Sequence, residues 1–186
     1  MAISTADFRN GMCIEYNNKL CTIVEFQHVK PGKGGAFVRT KLRDIKTGRV
    51  VDYTFNAGTK FDSVRLETKK MQFLYSDGTD FNFMDMSSFE QLSIPAETVG
   101  SAANWLKEND EATLMYAGDE LISIEPPMFV ELEVTETEPG FKGDTATGAT
   151  KPATVETGAN VNVPLFVEQG DKIKIDTRTG EYLSRV

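Results

Sequence analysis

Lys33 stands among a proline and three glycines in Lys30-Pro31-Gly32-Lys33-Gly34-Gly35, and a lysine so placed is suited to gripping phosphate or polar RNA atoms. A lysine amine is protonated at neutral pH, which makes it a poor base and a good point charge. Pro31 fixes its own backbone angle, while Gly32, Gly34 and Gly35 bring no Cβ that would bar the ammonium from a narrow cleft. The chemistry expected of such a residue is positioning.

The elements that must carry Lys33 are two strands. Leu20 to Val29 is rich in β-branched and aromatic residues, and Ala36 to Arg43 alternates strictly, so a hairpin with a Pro/Gly-rich tip is predicted. Seven residues of strand at roughly 3.3 Å each would carry the tip about 20 Å from the hairpin base. Along the second strand Ala36, Val38, Thr40 and Leu42 share one face, and Phe37, Arg39, Lys41 and Arg43 the other. Between Lys30 and Arg49 seven basic residues face a single acid, Asp44. Arg39, Lys41 and Arg43 are therefore candidate RNA contacts beside the loop.

Three other loop chemistries fit less well. A Walker A loop would need glycine where Gln27 stands and a hydroxyl where Gly34 stands. A dinucleotide fingerprint would need a helix, and not a second strand, after the first strand. An RNA-recognition-motif signature fits Lys33, Gly34, Ala36, Phe37 and Val38, yet Gly35 and Thr40 stand where stacking rings belong. An ordinary exposed hairpin turn stays open on the loop alone.

Composition bounds the rest. The chain has 186 residues, 40% hydrophobic and 26% charged, with a net charge of −8. That is the profile of a globular protein, and the acidic balance argues against indiscriminate nucleic-acid binding. The charge divides unevenly: +4 over residues 1–63, −8 over 64–127 and −4 over 128–186. No apolar run reaches membrane-span length and the first residues lack a signal-peptide pattern, so a cytoplasmic protein with no membrane partner is expected. One histidine, His28, and two widely spaced cysteines, Cys13 and Cys21, cannot assemble the usual zinc site or histidine triad. No metal, cofactor or catalytic residue is expected, and the cysteines are assigned to core positions.

Turn signals recur at Asn17-Asn18, Pro31-Gly32, Lys46-Thr47-Gly48, Asp77-Gly78, Ala117-Gly118-Asp119, Pro139-Gly140 and Thr179-Gly180. The short β-like runs between them predict a mainly β protein of small barrels. Ala96 to Glu108 is predicted helical, with Val99, Ala102, Ala103 and Leu106 on one face, and Ser87-Ser88-Phe89-Glu90 offers a capping box for one helical turn. Thr145 to Gly158 is read as a loop. The charge reversal near Asp62-Ser63-Val64 and the paired prolines Pro126-Pro127 divide the chain into domains 1–63, 64–127 and 128–186.

From Asp7-Phe8-Arg9 to Ser184-Arg185 the chain resembles bacterial translation elongation factor P. Two motifs carry the resemblance: Lys30 to Phe37, similar to that family's modified-lysine loop, and Lys151-Pro152-Ala153, Gly158, Val161-Asn162-Val163-Pro164, Val167 and Gly170, similar to its C-terminal signature. The resemblance implies an SH3-like (KOW-like) barrel followed by two OB-like barrels, in an L-shaped arrangement that mimics tRNA. It implies a non-enzymatic, monomeric factor that binds both ribosomal subunits between the peptidyl and exit tRNA sites. There Lys33, extended by a lysine-modifying enzyme, meets peptidyl-tRNA or initiator tRNA and promotes peptide bonds at consecutive prolines. It also implies that Gly143, Asp144 and Thr145 lie near the exit-site codon and that Arg178 and Tyr182 lie near the small subunit.

Two further functions stay open from the residues. A general single-stranded-RNA-binding OB protein would use stacking rings, of which Phe37 is a candidate while Phe55, Phe61, Phe81 and Phe83 suit cores. A carboxylate hydrolase would draw on Asp77, Asp80, Glu131 and Glu133, although acids on alternating strand positions are more often solvated.

Overall fold

The computed structural model describes residues 1–140 and 148–186. Among these, short alternating segments pair into three sheets, in keeping with the mainly β expectation. The first holds β1 (Ala2–Ser4), β2 (Cys13–Tyr16), β3 (Lys19–Val29), β4 (Phe37–Asp44), β5 (Val50–Asn56) and β6 (Lys60–Val64). Their order is β1-β6-β2-β3-β4-β5, antiparallel throughout. The second, ordered β11-β10-β7-β8-β9, holds β7 (Leu66–Ser76), β8 (Asp80–Asp85), β9 (Gln91–Pro95), β10 (Glu111–Ala117) and β11 (Glu120–Glu125). The third holds β12 (Phe129–Thr137), β13 (Thr150–Val155), β14 (Asn160–Pro164), β15 (Lys172–Asp176) and β16 (Glu181–Arg185), ordered β14-β13-β12-β15-β16. By packing, the chain forms two compact units, Met1–Thr68 with Met115–Ser123, and Lys69–Leu114 with Ile124–Val186.

In the first unit an aromatic cluster supports the hairpin strands from beneath. Phe8, Phe55 and Phe61 are buried with Ile14, Ile23, Val38 and Leu42, and Tyr16, Phe26 and Tyr53 pack against them. Phe8 meets Phe26 and Phe55 edge-on at 6.2 and 6.4 Å, and Tyr16 meets Tyr53 at 4.9 Å. Such pairs add about 0.5–1.5 kcal/mol each beyond burial. Cys21 belongs to this core, while its neighbour by register is Ile14 and not Cys13. Adjacent strand residues point to opposite faces, so Cys13 and Cys21 face apart. Both are free and buried, and burial, with the nearby Cys21 second, pushes the Cys13 thiol up to about 11.

In the second unit the third sheet closes over Val130, Leu132, Val134, Val155, Val161, Val163, Ile173 and Ile175, with Trp105 and Tyr182 packed on the edge of that core.

Three expectations are corrected. The helix expected over Ala96 to Glu108 is a single α-turn, α1 (Ala96–Val99), followed by a 3-10 turn over Gly100–Asn104. Gly100 takes φ +61, which breaks the α-ladder, yet Val99, Ala102 and Leu106 are buried as the spacing implied. The capping box at Ser87 does not form. Instead Asp85 Oδ1 accepts from the Ser87 amide, the Ser87 hydroxyl and the Ser88 amide at 2.7, 2.6 and 3.1 Å, making a turn of residues 86–88. Of the loop expected from Thr145 to Gly158, residues 145–147 lie outside the described residues and Thr150–Val155 is strand β13. Its Thr/Ala/Val alternation buries Ala153 and Val155, which outweighs the loop-like composition.

Candidate nucleic-acid interface

The Lys33 hairpin forms as its strands require. β3 and β4 run antiparallel in a register that pairs Val29 with Phe37, Gln27 with Arg39 and Glu25 with Lys41, with an irregularity at Val24. Beyond Val29 and Phe37 the chain leaves the ladder, and Lys30, Gly32, Lys33, Gly34 and Gly35 are exposed while Pro31 is half-buried. Gly34 has φ +103, a conformation that only glycine adopts without strain. Gly32 and Gly35 are different, because an added Cβ at either would meet nothing within 4 Å. Lys33 has no hydrogen-bond or ion-pair partner among the described residues.

β4 presents its faces as the alternation predicts: Val38, Thr40 and Leu42 buried, Arg39, Lys41 and Arg43 exposed. The exposed row is less uniformly basic than its own strand suggests. Lys41 Nζ lies 3.2 Å from Glu25 of β3, and Asp52 of β5 stands opposite Lys41 on its other side. Arg39 sits 5.7 Å over the Phe37 ring, so Phe37 holds an arginine in place and is half-buried. The six outward residues Glu25, Gln27, Arg39, Lys41, Asp52 and Thr54 border a shallow concavity of about 370 Å3 on the outer face of β3, β4 and β5. Glu25 and Asp52 were not identified from the sequence; cross-strand register is what brings them to Lys41, and one strand read alone does not reveal it.

At the far end of the chain, the turn after β15 holds Arg178 against Asp176. The guanidinium donates from Nε to Oδ1 at 3.1 Å and from Nη2 to Oδ2 at 2.7 Å, and the Arg178 amide donates to Oδ1 at 2.9 Å. This fork holds the Asp176 carboxyl below the usual aspartate range and raises Arg178, against some opposing desolvation. The Arg178 side chain stays 61% exposed while its partner is buried, so it is presented outward in a fixed pose. Tyr182, opposite Ile175, is instead half-buried against the third sheet's core. Gly143, Asp144 and Thr145 lie outside the described residues.

Of the acids weighed as hydrolytic groups, Asp77 organises a turn, and Glu131 and Glu133 lie on an exposed strand face. Asp77 Oδ1 accepts from the Thr79 and Asp80 amides at 2.9 and 2.7 Å, and these backbone donors lower its carboxyl, which suits a turn and not a general acid. Glu131 and Glu133 are exposed opposite Lys174 and Lys172. Among the described residues no His, Cys, Asp and Glu groups gather as a metal site, and no helix is long and apolar enough to cross a membrane.

Three family models match this chain in succession: the elongation factor P KOW-like domain over residues 4–61, the elongation factor P OB domain over 66–124, and the elongation factor P C-terminal domain over 130–185. Elongation factor P of Finegoldia magna is 59% identical over 184 residues, covering 99% of this chain and 100% of its own. That of Lachnoclostridium phytofermentans is 56% identical with the same coverage. Among solved structures, a translation initiation factor 5A from Methanococcus jannaschii aligns with TM-score 0.50 at 20% identity, over 67% of this chain and 95% of that one. A related initiation factor from Naegleria fowleri gives 0.53 at 17% identity, over 67% and 97%. These two show the fold alone. The three successive matches and the full-length identity carry the assignment: the chain belongs to the elongation factor P family and is a translation elongation factor.

Proposed function

We propose that this factor binds the ribosome between the peptidyl and exit tRNA sites and uses Lys33 to steady the end of peptidyl-tRNA, or of initiator tRNA, so that peptide bonds form at consecutive prolines. The observation that carries the reading is Lys33 itself, exposed and unpartnered at the tip of a hairpin whose base is braced by packed rings. Gly32 and Gly35 support it, since the empty space around them is not needed by this fold and is available to a partner's close approach. Proline is a slow reactant because its ring restricts approach. Restraining the acceptor-stem end removes part of the entropy cost of reaching a reactive geometry, and the ribosome performs the chemistry.

The remaining contacts follow from the same reading. Arg39, Lys41 and Arg43 face RNA phosphate near the hairpin; Gly143, Asp144 and Thr145 meet the exit-site codon region; Arg178 and Tyr182 face the small subunit. The protein acts in the cytoplasm as a monomer of domains 1–63, 64–127 and 128–186, without cofactor or metal, and Lys33 is the substrate of a lysine-modifying enzyme. The test is a polyproline reporter in reconstituted translation supplied with native-source protein. Lys33→Ala should slow synthesis through the proline run by at least about tenfold, equivalent to ~1.4 kcal/mol of barrier. Lys33→Arg, which keeps charge and removes the amine an enzyme would extend, should also lose most activity. Parent-like rates from Lys33→Ala would defeat the reading, and tight binding to free single-stranded RNA would favour a general RNA-binding role.

A further inference from the structure

Trp105, the chain's single tryptophan, stands at the C-terminal cap of the 3-10 turn that follows α1, yet its ring packs against the core of the third sheet. Both belong to the second compact unit. The outer edge of the indole meets the turn between β15 and β16. A Cβ on Gly180 would lie 3.4 Å from Trp105 Cζ2 and 3.7 Å from Cη2, so the ring lies on the side of Gly180 from which a side chain would project. Gly180 also has φ +74. Glycine suits this position twice, through its left-handed backbone and through the bare flank that the ring covers.

That turn carries Arg178. Its start is tied to the segment before β12: the Thr177 amide donates to the Met128 carbonyl at 3.0 Å, and the Thr177 hydroxyl to the Pro127 carbonyl at 2.7 Å. Its end is closed by the Gly180 amide, which donates to the Asp176 carbonyl at 2.8 Å. The fork between Asp176 and Arg178 fixes the guanidinium against its own strand end. The Gly180 flank is held by Trp105, which reaches it from the connection between β9 and β10. Two neighbours of Trp105 hold the same seam. The Asn104 carbonyl accepts from the Thr157 hydroxyl at 2.5 Å, in the turn between β13 and β14, and Lys107 Nζ donates to the Glu131 carbonyl of β12 at 3.0 Å. Ties to three separate elements orient this short segment, where one tie alone would leave it free to pivot, so the indole arrives at Gly180 already placed.

We propose that Trp105 is a positioning residue: the outer atoms of its indole brace the Gly180 flank of the 177–180 turn and so set the direction in which Arg178 is presented. Its consequence for ribosome binding rests on the reading above, that Arg178 faces the small subunit. Phenylalanine lacks the two atoms that meet the turn but keeps an aromatic ring against the core of the third sheet. Trp105→Phe therefore separates bracing from folding, whereas Trp105→Ala would also empty the edge of that core.

The experiment is hydrogen exchange by mass spectrometry on the full chain, with thermal melting and equilibrium ribosome binding measured on the same samples. In Trp105→Phe, exchange across residues 177–181 should accelerate about tenfold while β12, β13 and β14 are unchanged. The melting temperature should stay within about 4 °C of the parent. Thr157→Val removes a tie to the same segment without touching the turn, and exchange over 177–181 should then stay within about twofold of the parent. Ribosome affinity should fall about fivefold in Trp105→Phe and further in Arg178→Ala. Adding Trp105→Phe to Arg178→Ala should cost nothing more, because a brace has no effect once the side chain it aims is gone. Unchanged exchange over 177–181 in Trp105→Phe overturns the proposal, as does equal acceleration there in Thr157→Val or acceleration spread over the whole third sheet. Losses that add in the double variant overturn it too, since Trp105 would then act elsewhere. If Arg178→Ala binds ribosomes like the parent, the small-subunit reading fails, while faster exchange confined to 177–181 in Trp105→Phe still supports the brace.

Discussion

The salt dependence of ribosome binding should distinguish cations that look alike in sequence. Each phosphate neutralised by a protein cation contributes about 0.7–0.9 to the slope of log affinity against log salt. Arg39 and Arg43 are exposed and make no ion pair among the described residues, so Arg39→Gln and Arg43→Gln should each reduce the slope by roughly that amount. Over a fourfold rise in salt this is about a threefold change in affinity per residue, and about tenfold for both. Lys41 should behave differently. Its ammonium already faces Glu25 at 3.2 Å with Asp52 across the other side, so it arrives at RNA with part of its charge matched, and Lys41→Gln should alter the slope by much less than either arginine change. The converse is the sharper half: Glu25→Gln combined with Asp52→Asn should free Lys41 and steepen the slope by about 0.7–0.9. The assay is equilibrium binding to purified ribosomes across a potassium chloride series at constant magnesium. A Lys41→Gln slope equal to that of Arg39→Gln, or an unchanged slope in the Glu25/Asp52 double variant, would refute the reasoning.

Two stability predictions accompany it. Thr40 is 2% exposed and its hydroxyl has no hydrogen-bond partner, so the near-isosteric Thr40→Val should raise unfolding free energy by about 1 kcal/mol in urea melts; a loss of that size would reveal a hidden partner. Asp176 has its carboxyl lowered by Arg178, so its contribution to stability is complete above the ordinary aspartate value of about 3.9 and is lost as pH falls through the lower folded value. Melts from pH 6 to pH 2 should therefore show an acid-side decline that Asp176→Asn reduces, and an identical pH profile in that variant would contradict the pairing.

The hairpin was legible in sequence because its signals are local. Strand alternation, β-branched residues and a Pro/Gly tip all lie within about twenty consecutive positions, and the observed strands, Lys19–Val29 and Phe37–Asp44, differ from the expected ones by a residue at some ends. The charge of the β4 face was only half legible, since Glu25 and Asp52 come from other strands and their placement depends on register. Ala96 to Glu108 misled for a related reason. Its apolar spacing reports which residues are buried, and the same residues stay buried in one α-turn plus a 3-10 turn once Gly100 adopts a positive φ. β13 was obscured by composition, because threonine, alanine and glycine are shared by loops and by strand ends. Asp85 was missed as the turn's organiser because an aspartate that captures two amides ahead of it reads like any solvated acid until its partners are placed.

A chain of net charge −8 can present a cationic finger to RNA, as proposed above, because charges act locally in salt. At physiological ionic strength the screening length is about 8 Å. The Glu25 and Lys41 pair lies four residues down the ladder from Val29 and Phe37, or about 13 Å at the usual strand rise, and the Lys33 loop begins beyond that point. The nearest carboxylates of the hairpin face, Glu25 and Asp52, are thus more than a screening length from the tip and do little to cancel its charge. They do cancel Lys41, next to which they sit. On this hairpin the arrangement leaves uncompensated positive charge at the tip and at Arg39 and Arg43, while the acidic remainder disfavours RNA that approaches elsewhere. Productive attraction then depends on the hairpin arriving first, and the packed rings beneath β3, β4 and β5 limit the directions in which it can point.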